Sequence, residues 1–131
     1  MFGEDIRRRL QDGANTPLTN YILARRTQAE IKKKFELFFE SYDFLLTPTT
    51  PIAAPTIEGH DAVEQAGRLT RFTAPFNFAG LPALSLPCGF TNEGLPIGLQ
   101  IAARAWGESK ILNVGHAFEG ATEWHLRKSP L

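Results

Sequence analysis

Between Pro17 and Ser41, the residues Tyr21, Ala24, Gln28, Ile31, Phe35, Phe38 and, just beyond, Tyr42 recur at alternating steps of three and four. That spacing keeps them on one stripe of an α-helix, and a helix this long must lay its stripe on something. Thr16-Pro17 is a fitting start, because Thr can accept from free helix N–H groups and Pro at the first helical position gives up nothing. The aromatic end of the stripe reads as core packing rather than a cofactor-binding surface. Ahead of it, Glu4 to Gln11 has Ile6 and Leu10 four apart, with Gly13 placed as a helix C-cap. Downstream, Asp43 to Thr47 is too short for a helix and reads as a strand. Pro48, Pro51 and Pro55 then hold Thr47 to about Gly59 in an extended loop. Phe72, Phe76 and Ala79 suggest a short helix to Gly80 with Pro75 in its first turn. Ala83–Phe90 and Leu95–Ala103, joined by Thr91-Asn92-Glu93-Gly94, read as a hairpin whose Pro87 and Pro96 should sit at a bulge, an edge or a strand end. Glu108 to Ala121 is a second amphipathic helix ending before Trp124, and Arg127 to Leu131 reads as a frayed end. The fold class is therefore α/β. Three strands are few for these helices and 10 phenylalanines, so they are expected to be a few strands of a larger, mixed sheet, hairpin included.

Composition narrows the function classes. The chain has 131 residues with 14 Lys+Arg and 14 Asp+Glu, a net charge of 14 − 14 = 0, and is 43% apolar. One ordinary soluble domain fits these values; disorder and collagen-like structure do not. The charge is unevenly placed: 8 basic against 4 acidic residues to Lys34, 0 against 6 from Phe35 to Gly67, and 6 against 4 thereafter. Lys32-Lys33-Lys34 lacks interleaved aromatics to stack bases and reads as a solvated helix face, so no nucleic-acid partner is expected. No membrane partner is expected either, for no apolar run approaches the roughly 20 residues that cross a bilayer. The N-terminus lacks the basic-then-apolar order of a signal peptide, and the single cysteine, Cys88, excludes an internal disulfide. A cytoplasmic setting is the expectation.

The residues alone show no catalytic constellation. His60, His116 and His125 lie far apart and lack metal-ligand spacing. Ser85 alternates with Leu84 and Leu86 and reads as a strand serine rather than a nucleophile on an exposed turn. Cys88 with His116 is a conceivable hydrolytic pair, but nothing local would lower the thiol pKa. Gly89, Gly94 and Gly98 are spaced for turns and bulges, not for a phosphate-binding loop.

Two stretches carry a resemblance. The run from Phe72-Thr73-Ala74-Pro75-Phe76-Asn77-Phe78-Ala79-Gly80 through Leu81-Pro82-Ala83-Leu84-Ser85-Leu86-Pro87-Cys88-Gly89-Phe90, followed by Gly94-Leu95-Pro96-Ile97-Gly98-Leu99-Gln100, resembles the C-terminal part of the amidase signature family. Asp43-Phe44-Leu45-Leu46-Thr47-Pro48-Thr49-Thr50-Pro51 is similar to that family's D-x-L-L-x-P-T-x-P segment. Phe2-Gly3-Glu4 with Arg7-Arg8-Arg9, and His116 to Trp124, follow in the expected order. The resemblance implies that residues 1–131 form a single C-terminal amidase-type segment. It implies hydrolysis of a carboxylic amide by a Ser–cis-Ser–Lys triad, without metal or organic cofactor. That triad lies in a Gly/Ser-rich signature in the N-terminal half of family members, which this sequence does not contain, and no lysine or serine here matches it. No catalytic residue is assigned, and the chain alone is expected to be inactive.

What the resemblance assigns to this segment is sheet and pocket wall, with Thr49, Phe76 and Asn77 as substrate-binding candidates. Core packing for Phe76 and a helix-end hydrogen bond for Asn77 are the competing readings. The branch that supplies ammonia to mischarged tRNA has an Asp two residues before its Phe-Thr pair; here Thr70 precedes Arg71-Phe72-Thr73. A general amidase with an apolar or aryl amide substrate is therefore expected ahead of a fragment of a tRNA-dependent amidotransferase. The reading from a different class is a non-catalytic binding or structural domain derived from the same fold. Apolar surface left by missing strands would favour self-association.

Overall fold

The computed structural model describes residues 3–56 and 67–127. Its elements are α1 (Glu4–Ala14), α2 (Leu18–Ser41), β1 (Leu45–Pro48), a 3-10 turn (Thr70–Phe72), α3 (Ala74–Ala79), β2 (Ala83–Phe90), β3 (Pro96–Ala102), α4 (Glu108–Ala121) and a closing 3-10 turn (Trp124–Leu126). The strands form one sheet in the order β1-β3-β2, and both ladders are antiparallel.

The register assigns each face of the sheet its task. Leu84 lies opposite Ile101 and Leu86 opposite Leu99, while Leu46 faces Ile101 from the other side. These side chains share one face, because alternate residues of a strand point the same way. α4 covers part of that face, and its fit depends on Gly115. A Cβ there would stand 2.5 Å from Leu84 Cδ2 and 3.3 Å from Leu86 Cδ1, so at this spacing any larger residue would force the Leu84 side chain to move. Leu86, Ile101, Ala103 and Ile111 form the buried core, with Phe44, Leu84, Leu99, Val114 and Phe118 packed around it.

The other face is approached by α2 and α3. Phe35 of α2 meets Phe76 of α3 with ring centroids 5.7 Å apart, and Gln28 Nε2 donates to the Phe78 carbonyl at 2.7 Å. An aromatic contact of this kind is worth about 1 kcal/mol beyond the area it buries. α3 stops at Gly80, whose φ of 69° is left-handed, with Gly80 N donating to Asn77 O and Leu81 N to Phe76 O.

The hairpin stands, its first strand as expected and its return strand Pro96–Ala102 rather than Leu95–Ala103, with a bulge between Pro87 and Gly89 that accommodates the proline. Other expectations need correction. The short first helix runs through Gly13 to Ala14 and ends at Asn15. α2 begins at Leu18, with Pro17 as its N-cap, because the Thr16 hydroxyl is turned backward and donates to Asp12 O of α1 at 3.0 Å. The strand expected at Asp43–Thr47 is Leu45–Pro48, so the loop starts at Thr49; its continuation over 57–59 lies outside the described residues. The Phe72–Gly80 helix is split into a 3-10 turn and α3, with Thr73 between them. Of the expected stripe on α2, Gln28, Ile31, Phe35 and Phe38 are half-buried, whereas Tyr21, Ala24 and Tyr42 are exposed. The covering element, α3, reaches only part of the helix. Arg127, expected to fray, instead stacks 5.0 Å from the Trp124 ring and 5.9 Å from that of Phe90.

Candidate functional site

Where β1 ends, the sheet face opposite α4 carries a row of polar side chains. Thr47 and Ser85 both pair with Gln100 in the register, one from each side of β3. Gln100 is 3% exposed, and a buried amide must find partners. Its Nε2 donates to Thr47 Oγ1 at 2.9 Å and to the Phe72 carbonyl at 3.0 Å. One side chain thus ties β1, β3 and the 3-10 turn ahead of α3 together.

One step along, Thr49 N continues the ladder by donating to Gly98 O at 2.8 Å. This brings Thr49 Oγ1 to 2.6 Å from Ser85 Oγ, across 36 positions of sequence. The pair sits directly over Gly98. A Cβ on Gly98 would lie 2.6 Å from Thr49 Oγ1, 3.1 Å from Thr49 Cβ and 3.0 Å from Ser85 Oγ. Gly98→Ala is expected to push the two hydroxyls apart and to cost about 1–2 kcal/mol, the usual penalty for an added methyl without room. Urea denaturation of Gly98→Ala, with and without Thr49→Ala, checks this: the cost should shrink when the threonine hydroxyl and methyl are gone.

Chemically, two hydroxyls that share one hydrogen bond retain one further O–H donor and free lone pairs. Such a pair can hold both the C=O and the N–H of an amide. It cannot attack one unaided, since a serine needs an adjacent base. Among the described residues, neither hydroxyl is hydrogen-bonded to a histidine, lysine or carboxylate. The arrangement is suited to binding.

The sequence-derived candidates fall in three places. Thr49 is in the hydroxyl pair. Phe76 is 4% exposed with its ring against Phe35, and Asn77 is exposed on α3, its carbonyl accepting from Gly80. No hydrogen bond links the three among the described residues. Sequence reasoning missed Ser85, Gly98 and Gln100. The only local signal was a polar Gln inside an apolar strand, which requires partners if buried.

Of the other groups considered, His60 lies outside the described residues and His116 and His125 are exposed. Cys88 lines an apolar cleft of about 230 Å³ with Leu46, Pro48, Ile97 and Leu99, the part of the α4 face that α4 leaves uncovered. Among the described residues no hydrogen bond joins Cys88 to His116, and no group of three His, Cys, Asp or Glu could hold a metal ion. None of the helices described is long and apolar enough to cross a membrane.

Comparison with known proteins gives this geometry its setting. A family model described as "Amidase" matches residues 1–112. The A subunit of glutamyl-tRNA(Gln) amidotransferase from Rippkaea orientalis is 40% identical over 136 residues, an alignment covering 99% of this chain and 28% of the relative. Among solved structures, an inhibitor-bound vestigial protein complex bearing on the origins of an s-triazine catabolic enzyme superposes with TM-score 0.80 at 30% identity. It covers 92% of this chain and 28% of that one. The corresponding amidotransferase protein of Thermotoga maritima gives TM-score 0.61 at 36% identity, covering 84% and 25%. The chain thus spans between a quarter and a third of the length of these relatives.

Proposed function

The chain belongs to the amidase family, and from that membership we propose that residues 1–131 supply sheet and pocket wall to an enzyme that cleaves carboxylic amides to an acid and ammonia or an amine. The observation that carries this reading is the exposed Thr49–Ser85 hydroxyl pair, which offers an amide both a donor and an acceptor but contains no activated nucleophile. The nucleophile then comes from a Ser–Ser–Lys signature outside these residues, and the chain is inactive alone. The substrate is a small amide with an apolar or aryl acyl group. Thr49 contacts the substrate directly, and Phe76 and Asn77 shape the wall from α3. The setting is cytoplasmic, in keeping with one unpaired cysteine.

Exposed Leu18, Tyr21, Ile22 and Leu23 on α2 favour this over a free-standing binding domain, because they form the kind of apolar surface that a larger fold or a second copy covers. A second enzymatic reading, a portion of a tRNA-dependent amidotransferase A subunit, is favoured by the 40% identity to a protein of that name. Against it stands Thr70 where that branch has Asp.

The test is complementation. The chain is mixed with the N-terminal portion of an amidase that carries the signature, and ammonia release is followed with aryl amides and with glutamine. Activity should emerge only in the mixture and prefer the aryl amide. Preference for glutamine would select the amidotransferase reading. A complex that forms by light scattering yet releases no ammonia from either substrate overturns the catalytic proposal and leaves the binding domain.

A further inference from the structure

At the opposite end of β3 from Gly98, a cavity of about 350 Å³ opens between α2, the α3–β2 connection and the turn from β3 into α4. Its floor is apolar, with Ala79, Leu81 and Ala105. Its walls are not. α2 contributes Lys32 and Glu36, one helical turn apart, and the β3–α4 turn contributes Arg104 and Glu108. Each wall therefore carries one cation and one carboxylate. These four do not neutralise one another: among the described residues none is paired with another of the set, and the partner of Glu36 is exposed Lys33 on its own helix. Such a surface pair is weak. Lys32 Nζ lies near Gly80, 3.8 Å from where a Cβ would stand.

The rim of the cavity holds the clearest backbone anomaly of the fold. Trp106 has φ 63°, the left-handed region that a bulky side chain enters only at a cost. It is the third residue of the tight turn closed by Gly107 N donating to Arg104 O at 3.0 Å, a position where Gly or Asn would be free of strain. The indole recovers nothing by packing, for Trp106 is 91% exposed. A strained aromatic residue that is 91% exposed, set beside charges of both signs of which only Glu36 has an ion-pair partner among the described residues, is a feature whose return lies outside the described fold.

We propose that this cavity binds a small zwitterion bearing a flat apolar group, of the chemistry of an aromatic α-amino acid. A lone anion drawn to Lys32 and Arg104 would face Glu36 and Glu108, and a lone cation would face the two bases. A molecule carrying both charges satisfies both pairs. The volume is at the small end of ligand sites, which suits a single amino-acid-sized molecule, and the indole supplies a face on which a ring stacks.

The experiment uses the full chain with Trp124→Phe, so that Trp106 is the one fluorophore of its kind. Phenylalanine, phenylpropionate, phenethylamine and glycine are titrated separately. Phenylalanine should give a saturable change in Trp106 emission, and the three analogues, each lacking one charge or the ring, should bind about tenfold or more weakly, as expected for one lost charged or stacking contact. Arg104→Gln and Glu108→Gln, both exposed substitutions, should each weaken phenylalanine by a similar factor. By calorimetry, Trp106→Gly should abolish binding while raising the melting temperature, which a purely structural role for the indole would not do. No saturable response to phenylalanine, equal binding of a singly charged analogue, or binding unchanged by Arg104→Gln and Glu108→Gln would each overturn the proposal.

Discussion

Replacing Ile101 with alanine is expected to destabilise the chain by about 3–4 kcal/mol, in the upper part of the range for truncating a fully buried aliphatic side chain. Among the described residues Ile101 is the largest side chain that is completely buried, at 1% exposure, and it lies on the central strand with Leu84 opposite on one side and Leu46 on the other. Little around it can collapse into the gap, because Ala103 is already small and Ile111 is fixed on α4. A domain of this size has roughly 5–15 kcal/mol of stability in all. With so many large apolar residues left exposed, this one belongs near the low end, so the single change removes a large share. Urea denaturation should show a lower midpoint with an unchanged slope, the mark of lost stability rather than an altered unfolded state. Leu112→Ala, on the exposed side of α4, should shift the midpoint little. A loss below about 1 kcal/mol for Ile101→Ala would mean that β3 is not where the core is concentrated.

How far sequence could reach depended on the range of the interaction. The hairpin was legible because its signals are local. Thr91-Asn92-Glu93-Gly94 is a turn in its own right, with Thr91 N donating to Leu95 O at 2.8 Å, and Pro87 had to fall at a bulge or an edge. α4 was legible for the same reason. The stripe on α2 was only half informative, since helical spacing tells which residues share a face and not how far a neighbour extends along it. Tyr21 and Tyr42 are on the stripe and remain exposed. Thr16 shows a local signal read in the wrong direction: its hydroxyl serves the helix behind it rather than the one ahead.

The site was hardest to read, because it depends on register. Ser85 meets Thr49 only after two antiparallel ladders have formed on β3 and Gly98 has left the space between them. Alternation correctly placed Ser85 in a strand, yet gave no indication that its other face would be exposed beside a threonine from a proline-rich loop. Thr49 itself was reached through family resemblance. Phe76 was reached the same way, and its contact with Phe35 gives it a packing role that helical spacing already suggested.

Gln100→Met is the second large effect expected, about 2–3 kcal/mol. Methionine keeps the length and approximate volume of the side chain while deleting both donors, so the change isolates hydrogen bonding from packing. Two acceptors would lose their donor at once, Thr47 Oγ1 and the Phe72 carbonyl, and a partly buried acceptor without a partner costs about 1–3 kcal/mol. The threonine can turn toward water and recover part of this; the carbonyl is fixed by the 3-10 turn and recovers less. The loss should therefore be felt most at the turn. Amide exchange at Thr73 and Asn77, whose N–H groups bond back to Thr70 O and Thr73 O, should quicken more than that of the β2–β3 ladder. Since that turn leads into α3, loosening it would also move Phe76 and Asn77 relative to the Thr49–Ser85 pair. In the complemented enzyme, Gln100→Met should then impair amide hydrolysis although it touches no substrate, whereas equal acceleration of exchange throughout the sheet would show that Gln100 stabilises the fold without positioning α3.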